Sequence, residues 1–287
     1  MAERLLLAFS GGPDSTGLAV HLRDRNPLLA YVDHRLRGRA AQREERAAVR
    51  RIARDLGLPL VRTRVRVEGP GEAGARDARY RALEALVRRH GCAAIALGHS
   101  ADDRAETILF QLRRGTGLRG LVGMRAESNV RGVRRVRPAL QLRRTELRAL
   151  GEHLKPAEDR TNRGTNQTRA RCRHLLLPQL EARLDEDPVP LLCELADSAE
   201  RLRATLELRA RNRSVSISRT ELLAEPAVTF PYLVEAIRGS GPPLTRDGYV
   251  GLRAYLAAGR GDRTHTTPGG EVWCVRPHGA FEIRLPT

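Results

Sequence analysis

The chain has 287 residues, 51 of them basic against 34 acidic, for a net charge of +17 and a pI of about 11.2. That length suits one large α/β domain with a smaller one, and the charge points to a polyanionic partner. Only 3% of residues are aromatic, which argues against bases stacked on an RRM or OB-fold sheet, and no segment reaches the roughly 20 apolar residues of a membrane span. The expectation is a soluble, cytoplasmic protein with no membrane partner.

Strand and helix signals alternate through the first hundred residues. The sequence predicts strands at Arg4–Phe9, Leu28–Val32, Leu60–Val67 and Ala93–Leu97, with helices from Asp14 and over Ala40–Leu56, Ala73–Arg89 and Ala101–Leu112. This is the βαβ cadence of a doubly wound, mostly parallel α/β sheet. Val130–Pro138 reads as a further strand, Arg143–His153 as a helix and Ala157–Thr168 as a polar loop. Helix resumes near Arg169, breaks around Asp185–Pro188 and continues from Val189 to about Arg211. The C-terminal part predicts helices at Ala227–Arg238 and Arg246–Ala257, then strands Arg263–Thr267 and Val272–Arg276 in a hairpin around Pro268-Gly269-Gly270. The expected organisation is a catalytic domain over 1–188, a helical connector over 189–212 and a small α+β domain over 213–287.

In such a sheet, ligands sit beyond the C-terminal strand ends where strand order reverses. Three predicted ends carry polar strings: Ser10-Gly11-Gly12-Pro13-Asp14-Ser15, Asp33-His34, and Gly98-His99-Ser100-Ala101-Asp102-Asp103. The first is a phosphate cradle. Its glycines let the backbone approach an anion, and the N–H groups and positive end of the following helix supply donors. A Walker loop is excluded because it needs a lysine, and the chain's one lysine is Lys155.

Asp14, Asp102, Asp103 and Glu106 place carboxylates where a triphosphate would sit. Magnesium on ATP takes oxygen ligands and one or two protein carboxylates, and Asp14 with one of the Asp102/Asp103 pair fits that need. Taken alone, Ser100-Ala101-Asp102-Asp103 is also an ordinary helix start. The four cysteines, Cys92, Cys172, Cys193 and Cys274, form no CxxC pair, so no zinc ribbon or iron–sulfur site is signalled.

The string SGGxDS resembles the PP-loop of the ATP pyrophosphatases, which cut ATP between its α- and β-phosphates. Longer matches follow in order. Gly98-His99-Ser100-Ala101-Asp102-Asp103-Arg104-Ala105-Glu106-Thr107 and Arg114-Gly115-Thr116-Gly117-Leu118-Arg119-Gly120-Leu121 resemble the GHxxDDxAET and RGTGxxGL segments of tRNA(Ile)-lysidine synthetases. Asp33-His34-Arg35-Leu36-Arg37 resembles HHGLR, and the run from Glu72 to Tyr80 resembles EAxARxxRY. Glu158–Asn162 is similar to EDxSN, and Arg169–Pro178 to RNxxRHxLLP. The resemblance spans roughly residues 4 to 180. Asp33 stands in place of the first histidine; Arg35 replaces a glycine and Ala170 an asparagine, and roles at these last two positions are not carried over.

The resemblance implies an adenine nucleotide α-hydrolase-like fold and a carbon–nitrogen ligase using ATP and Mg2+. The substrates it implies are L-lysine and a tRNA(Ile) with anticodon CAU, whose wobble cytidine is adenylated at the C2 oxygen and then attacked by the lysine ε-amine. Ser10, Gly11, Gly12, Pro13, Asp14 and Ser15 would hold the phosphates, with Asp33, His34, Gly98 and His99 as further nucleotide contacts. Asp14, Asp102, Asp103 and Glu106 would be catalytic, with Asp14 and Asp102 on the metal and Glu106 or the second aspartate receiving the lysine amine. Arg76, Arg79, Arg113, Arg114, Arg169, Arg171 and Arg173 are the motif arginines expected to meet tRNA phosphates, and the C-terminal domain offers a second tRNA platform. A homodimer is compatible with the resemblance, although no self-complementary apolar stripe argues it.

Three other functions remain open on the sequence. A tRNA thiolase of the same superfamily would need placed site cysteines, which Cys92 and Cys172 do not resemble. A small-molecule synthetase is disfavoured by the charge. A non-catalytic RNA-binding relic is disfavoured by intact SGGPDS and ADDRAET strings.

Overall fold

A computed structural model describes residues 3–33, 39–65, 72–157, 168–212, 219–227, 229–238, 244, 246–258, 264–266, 272–275 and 281–284. They group into two compact units, Met1–Arg114 with Gly123–Glu194, and Gly115–Val122 with Leu195–Thr287. Among the described residues, no helix is long and apolar enough to cross a membrane.

The first unit is built on strands β1 (Leu5–Ala8), β2 (Leu28–Asp33), β3 (Leu60–Arg64) and β4 (Ala94–Ala96), followed by β5 (Glu127–Val130) and β6 (Val133–Val136). Their order is β3-β2-β1-β4-β6-β5, with every neighbouring pair parallel except β5 against β6. The doubly wound α/β expectation is met. Strand order reverses between β1 and β4, so the ligand crevice of this topology opens at their C-terminal ends.

Alternation along the strands sorts the core into two faces. Leu5, Leu7, Phe9, Leu29, Tyr31, Ala94, Ala96 and Val136 point to one face, covered by α1 (Pro13–His21), α2 (Arg39–Leu56) and α6 (Arg144–Gly151). Leu6, Leu28, Ala30, Ile95, Leu97 and Val133 point to the other, covered by α3 (Glu72–His90) through Tyr80, Leu83, Leu86 and Val87. After β4, α4 (Ala101–Arg113) packs its Ala101 and Ala105 against Leu177, Val189 and Cys193.

Two local expectations change. The single strand expected over Val130–Pro138 is half of a hairpin: Arg131 and Gly132 both take positive φ, the turn that matches strand twist, and β5 precedes it. The helix expected near Arg169 begins as α7 (Thr168–Arg171), widens into a π-helical turn over Cys172–Leu176 and continues as α8 (Leu177–Leu184), where Asp185 ends it in the left-handed region. His34 and the segment 158–162 lie outside the described residues.

The second unit takes the C-terminal part of α9 (Pro188–Asn212), with α5 (Leu118–Leu121), α10 (Arg219–Ala224), α11 (Phe230–Arg238) and α12 (Arg246–Ala257). Leu222, Phe230, Leu233, Val234, Leu252 and Leu256 form its core. Its sheet, β7 (Thr264–Thr266), β8 (Val272–Val275) and β9 (Phe281–Arg284), extends the expected hairpin by a third antiparallel strand.

Candidate functional site

The loop between β1 and α1 is shaped for an anion. Gly11 sits at φ +76°, which L side chains rarely adopt, and an added Cβ would come within 2.8 Å of Val49 Cγ2. Gly12 is the N-cap of α1, and no side chain caps the helix there. Pro13 opens the helix at a position where its missing N–H costs nothing. Ser10 and Ser15 brace the loop from inside: their hydroxyl oxygens are 3.1 Å apart, and Ser15 Oγ donates to the Gly12 carbonyl at 3.0 Å. The Gly12 N–H reaches Ser10 Oγ at 3.4 Å, and the first turn of α1 has no side-chain cap at its positive end.

The start of α4, at the neighbouring strand end, is closed instead. Ser100 and Asp103 form a reciprocal capping box, with Asp103 Oδ2 accepting from Ser100 N at 2.8 Å and from Ser100 Oγ at 2.9 Å. A Cβ at Gly98 would lie 3.2 Å from the Asp14 carbonyl, so the end of β4 rests directly on the phosphate loop. His99 follows directly.

Asp14, Asp102, Asp103 and Glu106 are each met by an arginine of α6 or of its N-cap. Arg143 clamps Asp102 at 3.1 and 3.3 Å, and the Arg144 backbone N–H donates to the same carboxylate at 2.7 Å. Arg144 Nη2 donates to Asp103 at 2.9 Å and to Glu106 at 2.7 Å. Arg148 donates to Asp14 at 2.6 Å. Arg173, on the π-helical turn, makes a two-point contact to Glu106 at 2.7 and 3.0 Å. Glu106 is 1% exposed, a buried carboxylate tolerable only because two guanidiniums enclose it.

The electrostatics follow from those contacts. Burial pushes the Asp102 carboxyl up, but the Arg143 hydrogen bond and the Arg144 N–H outweigh it and hold it below the usual carboxylate range. Asp103 also ends below that range, burial being outweighed by the Arg144 charge and the Ser100 N–H. Burial disfavours the Arg144 cation, yet Asp103 and Glu106 hold its guanidinium above its ordinary range.

Asp14 and Asp102 supply oxygen donors from two helix starts at adjacent strand ends, a donor set that fits a magnesium arriving on a triphosphate. Among the described residues, no group of three or more His, Cys, Asp or Glu side chains is placed to hold a metal by itself.

The structure thus brings Ser10–Ser15, Gly98, His99, Asp102, Asp103 and Glu106 to one edge. Asp33 ends β2, next to β1, where it is buried and ion-paired to Arg46. Among the motif arginines, Arg173 turns inward to Glu106, whereas Arg113 and Arg114 end α4 exposed, and Arg171 is exposed on α7. Arg76 and Arg79 lie on α3 around Tyr80. The side chain of Arg169 lies outside the described residues. Sequence reasoning missed Arg143, Arg144 and Arg148. The available signal was positional: the helix after β6 must begin at the ligand edge of the sheet.

Residues 1–180 match the PP-loop domain family. A tRNA(Ile)-lysidine synthase of Streptomyces coelicolor is 40% identical over 75% of this chain and 64% of its own length. Another, of Salinispora tropica, is 37% identical over 93% of this chain and 86% of its own length. The match therefore spans just under two thirds of the first relative. Among solved structures, the U34-tRNA thiolase NcsA of Methanococcus maripaludis aligns with a TM-score of 0.55 at 17% identity, over 70% of this chain and 72% of that one, a likeness of fold. Cys92, Cys172 and Cys193 of the present chain are buried thiols with no disulfide.

Proposed function

The chain belongs to the tRNA(Ile)-lysidine synthase family, and from that membership we propose that it ligates L-lysine to C2 of the wobble cytidine of a tRNA(Ile) with anticodon CAU. ATP is consumed, and lysidine, AMP and pyrophosphate are released. The observation that carries this reading is the open, uncapped start of α1 beside a second helix start rich in carboxylates.

The backbone N–H groups of Asp14 and Ser15 bind phosphate oxygens, and the Ser10–Ser15 brace keeps the loop from collapsing onto them. Asp14 and Asp102 would hold magnesium, which when bound with ATP offsets phosphate charge during displacement of pyrophosphate. Arg148 and Arg143 set the direction of those two carboxylates and add positive charge at the phosphate end. The base that takes a proton from the lysine ε-amine comes from Asp103 and Glu106. Both are already held by arginine, so the substrate ammonium reaches them by replacing a guanidinium. Arg173, 31% exposed, is easier to displace than Arg144 at 12%.

The deciding experiment is incorporation of radiolabelled L-lysine into an unmodified tRNA(Ile) transcript with anticodon CAU, beside a methionine tRNA, with ATP and magnesium. Label on the first alone is expected. No label on it overturns the reading, and ordinary incorporation by both Asp103→Asn and Glu106→Gln removes the assignment of the base.

A further inference from the structure

Arg143 is an uncommon residue at a helix start. It is the N-cap of α6, a position that favours Ser, Thr, Asp or Asn, and a guanidinium has no acceptor with which to cap. Glu146 holds the helix start instead, its Oε2 accepting from Arg143 N at 2.7 Å. The Arg143 side chain is thus released from local duty and reaches two carboxylates, 41 and 44 residues away.

The first is Asp102, which is held at both oxygens. Arg143 Nη2 donates to Oδ1 at 3.1 Å and Nε to Oδ2 at 3.3 Å, while the Arg144 N–H donates to Oδ2 at 2.7 Å. The second is Asp187, whose Oδ2 accepts from Arg143 Nη1. Asp187 stands just before Pro188 opens α9, and its Oδ1 accepts from Val189 N at 3.0 Å. That bond caps the helix, with proline at its first position. Capping accounts for an oxygen at residue 187 but not for a charge, because Asn caps as well as Asp. The charge is directed at the guanidinium that also holds Asp102.

The two grips are unequal. Asp102 takes Nε and Nη2 and is 15% exposed, whereas Asp187 takes Nη1 and is 39% exposed. The Asp102 hydrogen bond does most to hold the Arg143 guanidinium above its ordinary range, and the Asp187 charge adds to it. While Arg143 lies across both of its oxygens, Asp102 is poorly placed to meet a cation. A guanidinium leaving Asp102 does not go bare into water, however, since a second carboxylate already holds one of its nitrogens.

We propose that Asp187 is a positioning residue for the metal carboxylate: Arg143 passes from Asp102 to Asp187 as the nucleotide site fills, and the charge of Asp187 sets how readily Asp102 is released. The exchange leaves every charge paired, because Arg143 keeps a carboxylate while the Asp102 oxygens turn toward the cation that accompanies the triphosphate. It rests on the assignment of Asp102 to magnesium made above and adds the group that frees it.

The test is the ATP affinity of the full chain, read by titration calorimetry without RNA across a magnesium series. Asp187→Asn keeps the cap, so its urea midpoint should stay near that of the wild type. It should nevertheless need about 2–5-fold more magnesium to reach half of its gain in ATP affinity, the scale of one partly exposed ion pair. Asp187→Glu should restore the wild-type dependence. Arg143→Gln removes the competing guanidinium and should need less magnesium than wild type, and adding Asp187→Asn to it should change nothing further. An unshifted magnesium midpoint in Asp187→Asn overturns the exchange and leaves lysidine synthesis standing. A shift of full size on the Arg143→Gln background also overturns it, because the charge then acts without the guanidinium. A wild type whose ATP affinity ignores magnesium overturns the metal assignment and the exchange together. The expected shifts in a protein that incorporates no lysine support the exchange and overturn the synthesis.

Discussion

Gly17 lies so close beneath Leu147 that a β-carbon on the glycine would sit 1.8 Å from the leucine carbonyl oxygen. On the other helix, a β-carbon at Gly151 would meet Gly17 N at 2.9 Å, so α1 and α6 touch backbone to backbone. That contact sets how near the arginines of α6 stand to the carboxylates. Gly17→Ala must push α6 outward. The expected cost is about 1–3 kcal/mol of stability, read as a lower urea midpoint. Weaker ATP binding at temperatures where the variant is folded should accompany it.

Arg144 and Arg173 share Glu106 but should differ in effect. Removing Arg144 leaves the buried Glu106 with one guanidinium and takes from Asp103 its nearer one, so Arg144→Ala should destabilise by about 3–5 kcal/mol. Arg173→Ala leaves Arg144 in place and opens Glu106, and it should lower the KM for lysine while the fold survives. Urea denaturation and lysine titration check the pair; a raised KM for Arg173→Ala would overturn the displacement route.

Asp14 and Arg148 form a pair in contact with solvent, worth at most about 1 kcal/mol to the fold. Asp14→Asn should therefore unfold near the wild-type midpoint. Pyrophosphate release in the presence of tRNA and magnesium should fall by at least about 100-fold, the scale of losing one electrostatic partner of the transition state. RNA affinity should not change.

Acid should reveal Asp102 and Asp103. Both carboxyls bind protons less readily folded than their ordinary value of 3.8 implies. Their stabilisation is thus fully present above about pH 4 and is lost as pH falls through their lower folded values. The thermal midpoint should show no loss from this pair between neutral pH and about 4, and decline below that. Asp102→Asn should lower the neutral midpoint and flatten the acid decline.

The phosphate loop was legible because its logic is local: a strand, two glycines and a helix start within a dozen residues. The sheet was legible from its alternation, and the placement of β2, β1 and β4 side by side follows from the strand order. What stayed hidden depends on distance along the chain. Arg144 looks like one more surface arginine until folding brings it to Asp103 and Glu106, 41 and 38 residues away. Arg173 could be assigned to RNA from sequence because nothing local marks the π-helical turn that faces it inward. The hairpin at Arg131-Gly132 was missed because an arginine in the left-handed region carries no turn signature of its own.

Asp14 and Arg148 are 134 residues apart, and Glu106 waits 67 residues for Arg173. During synthesis the phosphate loop leaves the ribosome well before the arginines that orient its carboxylates. Closing such long loops is also the slow part of reaching a native arrangement. A partly made chain therefore carries its glycine loop before the arginines that meet Asp14 and Glu106 have been added.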